Sequence, residues 1–122
     1  MNTDERTKDV LSAAIAKRLF GLELCNGDDK NFVRLASGGV ALLKPFASDH
    51  NAALELVVPE MRKRGWVFRL IDCLEIDEVG VDFIRWEPEF REATGMAPFG
   101  QEPRAICLAA LAALDQEESS AG

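Results

Sequence analysis

The sequence predicts an α+β fold, an α/β/α sandwich whose mainly antiparallel sheet has five strands, in the chain order α-β-β-β-α-β-β-α. Three observations point there. Apolar residues recur at helical spacing in three stretches, short apolar runs between residues 22 and 43 are separated by turn-forming residues, and two later strands are apolar on both faces.

The first helix is expected over residues 3 to 20. Asn2 followed three residues later by Glu5 has the spacing of a capping box, and Val10, Leu11, Ala14, Ile15 and Leu19 form one stripe that ends at Gly21. Runs at Leu22 to Cys25, Asn31 to Ala36 and Val40 to Leu43 then read as an antiparallel meander. Asn26-Gly27-Asp28-Asp29 and Ser37-Gly38-Gly39 separate them, residue types that supply positive φ or bond their own backbone.

Ser48 is the expected N-cap of a second helix carrying Ala52, Ala53, Leu56, Val57 and Met61 at helical spacing. Arg62-Lys63-Arg64 suits its negative dipole end, and Gly65 closes it. Pro59 lacks an N–H and clashes with the preceding turn, so a kink is expected near Glu55 to Pro59.

Strands follow at Trp66 to Leu74 and Val79 to Trp86, joined by an acidic turn. With Leu74 facing Val79, Phe68 pairs with Arg85 and Leu70 with Phe83. Trp66, Phe68, Leu70, Val81 and Phe83 then share one face, and Val67, Ile71, Cys73, Ile84 and Trp86 the other. Two apolar faces call for a helical layer on each.

Residues 87 to 100 read as an irregular connection. The third helix opens with Pro103 in its first turn, and Ile106 to Leu114 is apolar nearly all round. That pattern leads to the expectation of a homo-oligomer with Leu108 and Leu111 at its interface. A single domain of residues 1 to 114 is expected to end there, with 115 to 122 a flexible acidic tail.

The 122 residues are 48% hydrophobic and 29% charged, a globular composition without a run long enough for a bilayer span, so membrane association is not expected. The net charge of −7 disfavours general nucleic-acid binding, which needs cations against phosphates. Charge is uneven: residues 1 to 74 sum to +1 and residues 75 to 122 to −8. Cys25, Cys73 and Cys107 are odd in number and lack a CxxC pair, so buried or half-buried thiols in a reducing cytoplasm are expected, with no metal and no cofactor.

Two stretches, Phe46-Ala47-Ser48-Asp49-His50-Asn51-Ala52-Ala53-Leu54-Glu55-Leu56-Val57-Val58 leading to Arg64-Gly65-Trp66, and Ala105-Ile106-Cys107-Leu108-Ala109-Ala110-Leu111, together resemble the phage ABA sandwich domain family. Helix one running into Phe20-Gly21-Leu22 is similar to that family's opening. The resemblance implies a small phage or prophage protein with an antiparallel sheet between helical layers, and it implies no catalytic residue. Pro59 and the length of the segment 87 to 101 depart from the pattern.

Candidate chemistry is sparse. Ser48, Asp49 and His50 gather at one helix start, and Arg85 and Arg104 could join a helix N-terminus to hold a small anionic ligand such as a nucleotide phosphate. Arg85 is favoured over Arg69, because Asp82 lies diagonal to Arg69. The acidic block Glu75, Asp77, Glu78, Asp82, Glu87, Glu89 and Glu92 lacks a calcium-loop pattern and reads as a solvated face. No nucleophile context accompanies Ser48, Cys25 or His50, so a hydrolase is poorly supported. The function expected is non-enzymatic. A phage or prophage accessory protein would bind its own copies or a host or phage protein, with small-ligand or nucleotide sequestration as the alternative.

Overall fold

The structure, a computed structural model, describes residues 3–24, 32–34 and 37–121. The fold is α+β, with two three-stranded antiparallel sheets in place of the expected single sheet of five strands. Helix α1 (Thr3–Arg18) leads into a small sheet of β1 (Glu23–Leu24), β2 (Phe32–Arg34) and β3 (Val40–Leu42). A helical rod follows, made of α2 (His50–Ala52), a π-helical turn at Ala53–Val57 and α3 (Val58–Lys63). The larger sheet is β4 (Val67–Cys73), β5 (Glu78–Arg85) and β6 (Arg91–Pro98), and α4 (Glu102–Ala121) closes the chain. No helix among the described residues is long and apolar enough to cross a membrane.

The rod obeys the sequence except at two points. Asp49, not Ser48, is its cap: the Asp49 Oδ1 accepts the N–H groups of Asn51 at 2.9 Å and Ala52 at 3.3 Å, while Ser48 lies in the preceding turn. The break expected at Pro59 is a π turn, in which the Val58 N–H reaches back to the Ala53 carbonyl. Pro59 then stands in the first turn of α3, where a missing N–H costs little. The C-terminus is a Schellman motif. Gly65 (φ +93°) donates to the Arg62 carbonyl at 3.0 Å and Trp66 to the Met61 carbonyl at 3.1 Å, with both Trp66 and Met61 buried.

In the larger sheet Phe68 faces Phe83, Arg69 faces Asp82 and Leu70 faces Val81, a register two residues from the one expected. The physical reason is the connection. Leu74–Ile76 forms a 3-10 turn and Asp77 takes φ 54°, so the four-residue connection runs from 74 to 77, one residue earlier than the expected 75 to 78, and Cys73 rather than Leu74 closes the pairing. The faces are nevertheless as read, because a shift of two keeps the alternation. Segment 87 to 100, expected to be irregular, contains β6. Its alternation is muted because the residues facing α4 are Ala93, Gly95 and Ala97.

Those small residues let α4 lie close on the sheet. A Cβ added at Gly95 would stand 2.5 Å from the Ala105 carbonyl oxygen, 2.9 Å from the Leu108 Cβ, and closer still to the Ala109 nitrogen. On its other side α4 packs against α1 and the π turn. Most of its apolar surface is therefore consumed within the chain. Ala105, Ile106, Cys107, Ala109, Ala110 and Ala113 are buried, and Leu108 and Leu111 are half-buried against the same core. The helix continues through the segment expected to be an acidic tail.

The sandwich is thus incomplete. Val79, Val81 and Phe83 face α4, but the opposite face of the sheet has no helical layer among the described residues, contrary to the expectation of two. Gly95→Ala is expected to destabilise the protein by about 1–3 kcal/mol or more in a urea titration, through overpacking against backbone. Gly80→Ala is the control: its added Cβ meets nothing nearer than 3.8 Å, and the stability should change by less than about 1 kcal/mol.

Candidate functional site

The uncovered face of β4-β5-β6 is built as three rows running across the strands. A polar row in the middle joins all three. The Asp82 Oδ2 accepts from Arg69 Nε at 3.1 Å and Nη2 at 2.5 Å, and its Oδ1 accepts from Thr94 Oγ1 at 2.8 Å. On one side Val67 faces Ile84, and on the other Ile71, Gly80 and Met96 lie in register. Val67 is 45% exposed, Ile71 39% and Met96 40%, whereas Ile84 (7%) and Asp82 (5%) are hidden by these flanking side chains. At the Ile84 end, exposed Trp86 and Phe90 meet edge to face with ring centroids 6.4 Å apart.

Burial alone would raise the Asp82 carboxyl, but hydrogen bonds from Arg69 and Thr94 and the Arg69 charge outweigh it and hold the group below its usual range. The carboxylate is ionised with its lone pairs engaged. Its arrangement suits a structural tie, while the surrounding apolar rows suit contact with another surface. The expected diagonal of Arg69 and Asp82 is a direct cross-strand pair.

The residues expected to hold an anionic ligand are divided. Ser48 is exposed, and Asp49 spends its carboxylate on the cap. His50 Nε2 lies 3.1 Å from Glu102 Oε2 at the start of α4. The Glu102 carboxyl is held low by hydrogen bonding to its own backbone N–H, with burial opposing and His50 adding to the effect. Arg104 is half-buried in the same first turn, its Nε without a hydrogen-bond partner among the described residues.

Arg85 belongs to the other end of α4. There Glu117 accepts from Trp66 Nε1 at 3.0 Å, Arg64 Nη1 at 2.9 Å and Arg85 Nη1 at 3.4 Å, with the Arg85 guanidinium 4.9 Å from the Trp66 ring centroid. Glu102 and Glu117 stand about 22 Å apart along the helix, so Arg85 shares no site with His50. Arg85 is a strut between sheet and helix.

Cys107 is buried, and burial pushes its thiol up to about 12, which leaves it protonated and inert. The side chains of Cys25 and Cys73 lie outside the described residues, as does the whole of the first expected turn, Asn26-Gly27-Asp28-Asp29. Among the described residues no cluster of three metal-ligating side chains is present. Thr94 and Met96 were hidden from sequence reading with the rest of β6. The signal that could have found them is the strict alternation of Ala93, Gly95 and Ala97 with Thr94 and Met96.

Two substitutions test these assignments. Because the folded Asp82 carboxyl sits below its unfolded value, its contribution is complete above that unfolded value and is lost as pH falls through the folded one. The stability gap between wild type and Asp82→Asn should therefore be widest near neutrality and close below about pH 4 in urea titrations across pH. Glu117→Ala removes the shared acceptor of Trp66, Arg64 and Arg85. It should cost about 1–3 kcal/mol by the same measurement, since the buried Trp66 indole and the half-buried Arg85 guanidinium lose their partner.

No protein-family model matches the chain, and no curated protein matches it. Among solved structures, the 2.0 Å crystal structure of a phage protein from Bacillus cereus ATCC 14579 is similar, with a TM-score of 0.66 and 18% sequence identity. The match covers 88% of this chain and 87% of that one. At this identity the likeness is one of fold, and the fold is one that a phage protein uses.

Proposed function

We propose that the chain is a phage or prophage accessory protein of the ABA sandwich type. It acts in the bacterial cytoplasm by binding rather than by catalysis, and its first partner is a second copy of itself. The observation that carries this reading is the uncovered face of the larger sheet. Val67, Ile71 and Met96 are exposed around a polar row whose Asp82 is already satisfied internally, so covering the face buries apolar area and leaves only Arg69 and Glu92 for a partner's charges to meet.

A two-fold pairing suits the face because it carries both signs. Arg69 is half-exposed beyond Asp82, and Glu92 is exposed on β6, so two copies can offer each other opposite charges. The fold of a phage protein supports the origin. Leu108 and Leu111, half-buried against the core of their own chain, lie on the helix that packs on the other face of this sheet.

Sedimentation velocity tests the proposal. Wild type is expected to sediment as a dimer at micromolar concentration, and an Ile71→Glu, Met96→Glu variant as a monomer with an unchanged circular dichroism spectrum. A wild type that stays monomeric at high micromolar concentration would refute self-association.

A further inference from the structure

A cavity of about 200 Å³ opens between α1, the small sheet and the π turn, and it shares no residue with the uncovered face of the larger sheet. Phe20 at the end of α1 and Phe46 after β3 stack with ring centroids 5.2 Å apart and planes 14° from parallel, forming one wall. Val33 and Ala41 of the small sheet and Leu56 of the π turn supply the others. Lys44 is the one charged residue of the lining, and among the described residues it makes no ion pair.

We infer that this cavity binds a small amphiphilic anion, a monocarboxylate with an aliphatic or aromatic body of about eight to ten carbon atoms. The body would lie against Phe20, Val33 and Leu56, with the carboxylate directed to Lys44. An apolar cavity of about 150 Å³ stays dry and accepts benzene, so this volume takes a somewhat larger body. Filling it restores the dispersion contacts that an empty apolar void forfeits.

The lining also sets the ligand class. A sugar or nucleoside would leave its water and find almost nothing to hydrogen-bond, a loss that apolar contact does not offset. A monocarboxylate places its polar end at the mouth, where Lys44 is exposed. Although the chain carries −7, the lining comes wholly from the part between residues 1 and 74, which sums to +1. This site stands independently of self-association through the sheet.

The test uses the full chain with octanoate, octanol and octylammonium in calorimetric titrations, together with NMR measurement of contacts between octanoate and the protein. Octanoate should saturate at one per chain, with intermolecular NOEs to the ring protons of Phe20 and Phe46. Lys44→Gln should weaken octanoate about two- to fivefold and leave octanol unchanged, the scale of an exposed ion pair. Ala41→Phe, which fills the cavity, should abolish both. If that variant unfolds by circular dichroism, the NOEs to wild type still decide the location. The inference is overturned by the absence of saturable octanoate binding, by NOEs confined to other residues, or by octylammonium binding as tightly as octanoate.

Discussion

The close approach of α4 to β6 is the constraint on which the rest of the structure depends. Helix and sheet can come this near because Ala93, Gly95 and Ala97 face the alanines of α4, and at Gly95 even a methyl group would meet helix backbone. Small-on-small contact gives up side-chain volume to gain proximity. Close packing then brings the bulky residues, Trp66, Met61, Phe83 and Ile106, into a single core around the helix rather than between helix and sheet alone. A central helix of this kind keeps only a narrow part-exposed stripe, Arg104, Leu108, Leu111 and Asp115. Its apolar circumference reflects burial on two sides within one chain.

Placing α4 at the centre also decides what is left uncovered. Helix α1, α2 and the π turn pack on α4 and cannot also cover the opposite face of the larger sheet. The apolar residues of that face are therefore split by a row that is polar, satisfied and shared among three strands. Asp82 is deeply placed because the edge-strand side chains lean over it, and its ionised state depends on Arg69 and Thr94 arriving from two different strands. A face with this construction tolerates water and still offers apolar area to a partner.

The acidic end of α4 serves the same architecture. Carboxylates in the last turns of a helix oppose its dipole, yet Asp115 and Glu118 meet Arg18 of α1, and Glu117 gathers Arg64, Arg85 and the Trp66 indole. Each cation comes from a different element, so the charges that read as a solvated tail act as ties between helix layer and sheet. Arg85 looked available for a ligand because no carboxylate faces it within the sheet. Its partner lies 32 residues away on the helix packed against it.

What the sequence by itself determined is what depends on near neighbours. Helix α1, the antiparallel meander, the Gly65 closure of α3, and the faces of β4 and β5 follow from spacing, capping and alternation, all local properties that survive the register shift. The chain's likeness in fold to a phage protein agrees with motifs legible at residues 46–66 and 105–111. Tertiary structure alone decided that the strands divide into two sheets, that Ala93 to Ala97 form a strand, and that His50 and Arg85 stand at opposite ends of α4. It also decided that a cavity opens beside Lys44. The reason is that small residues carry little hydrophobic signal along the chain. Their meaning, a place where helix and sheet may nearly touch, exists only once the two surfaces are brought together.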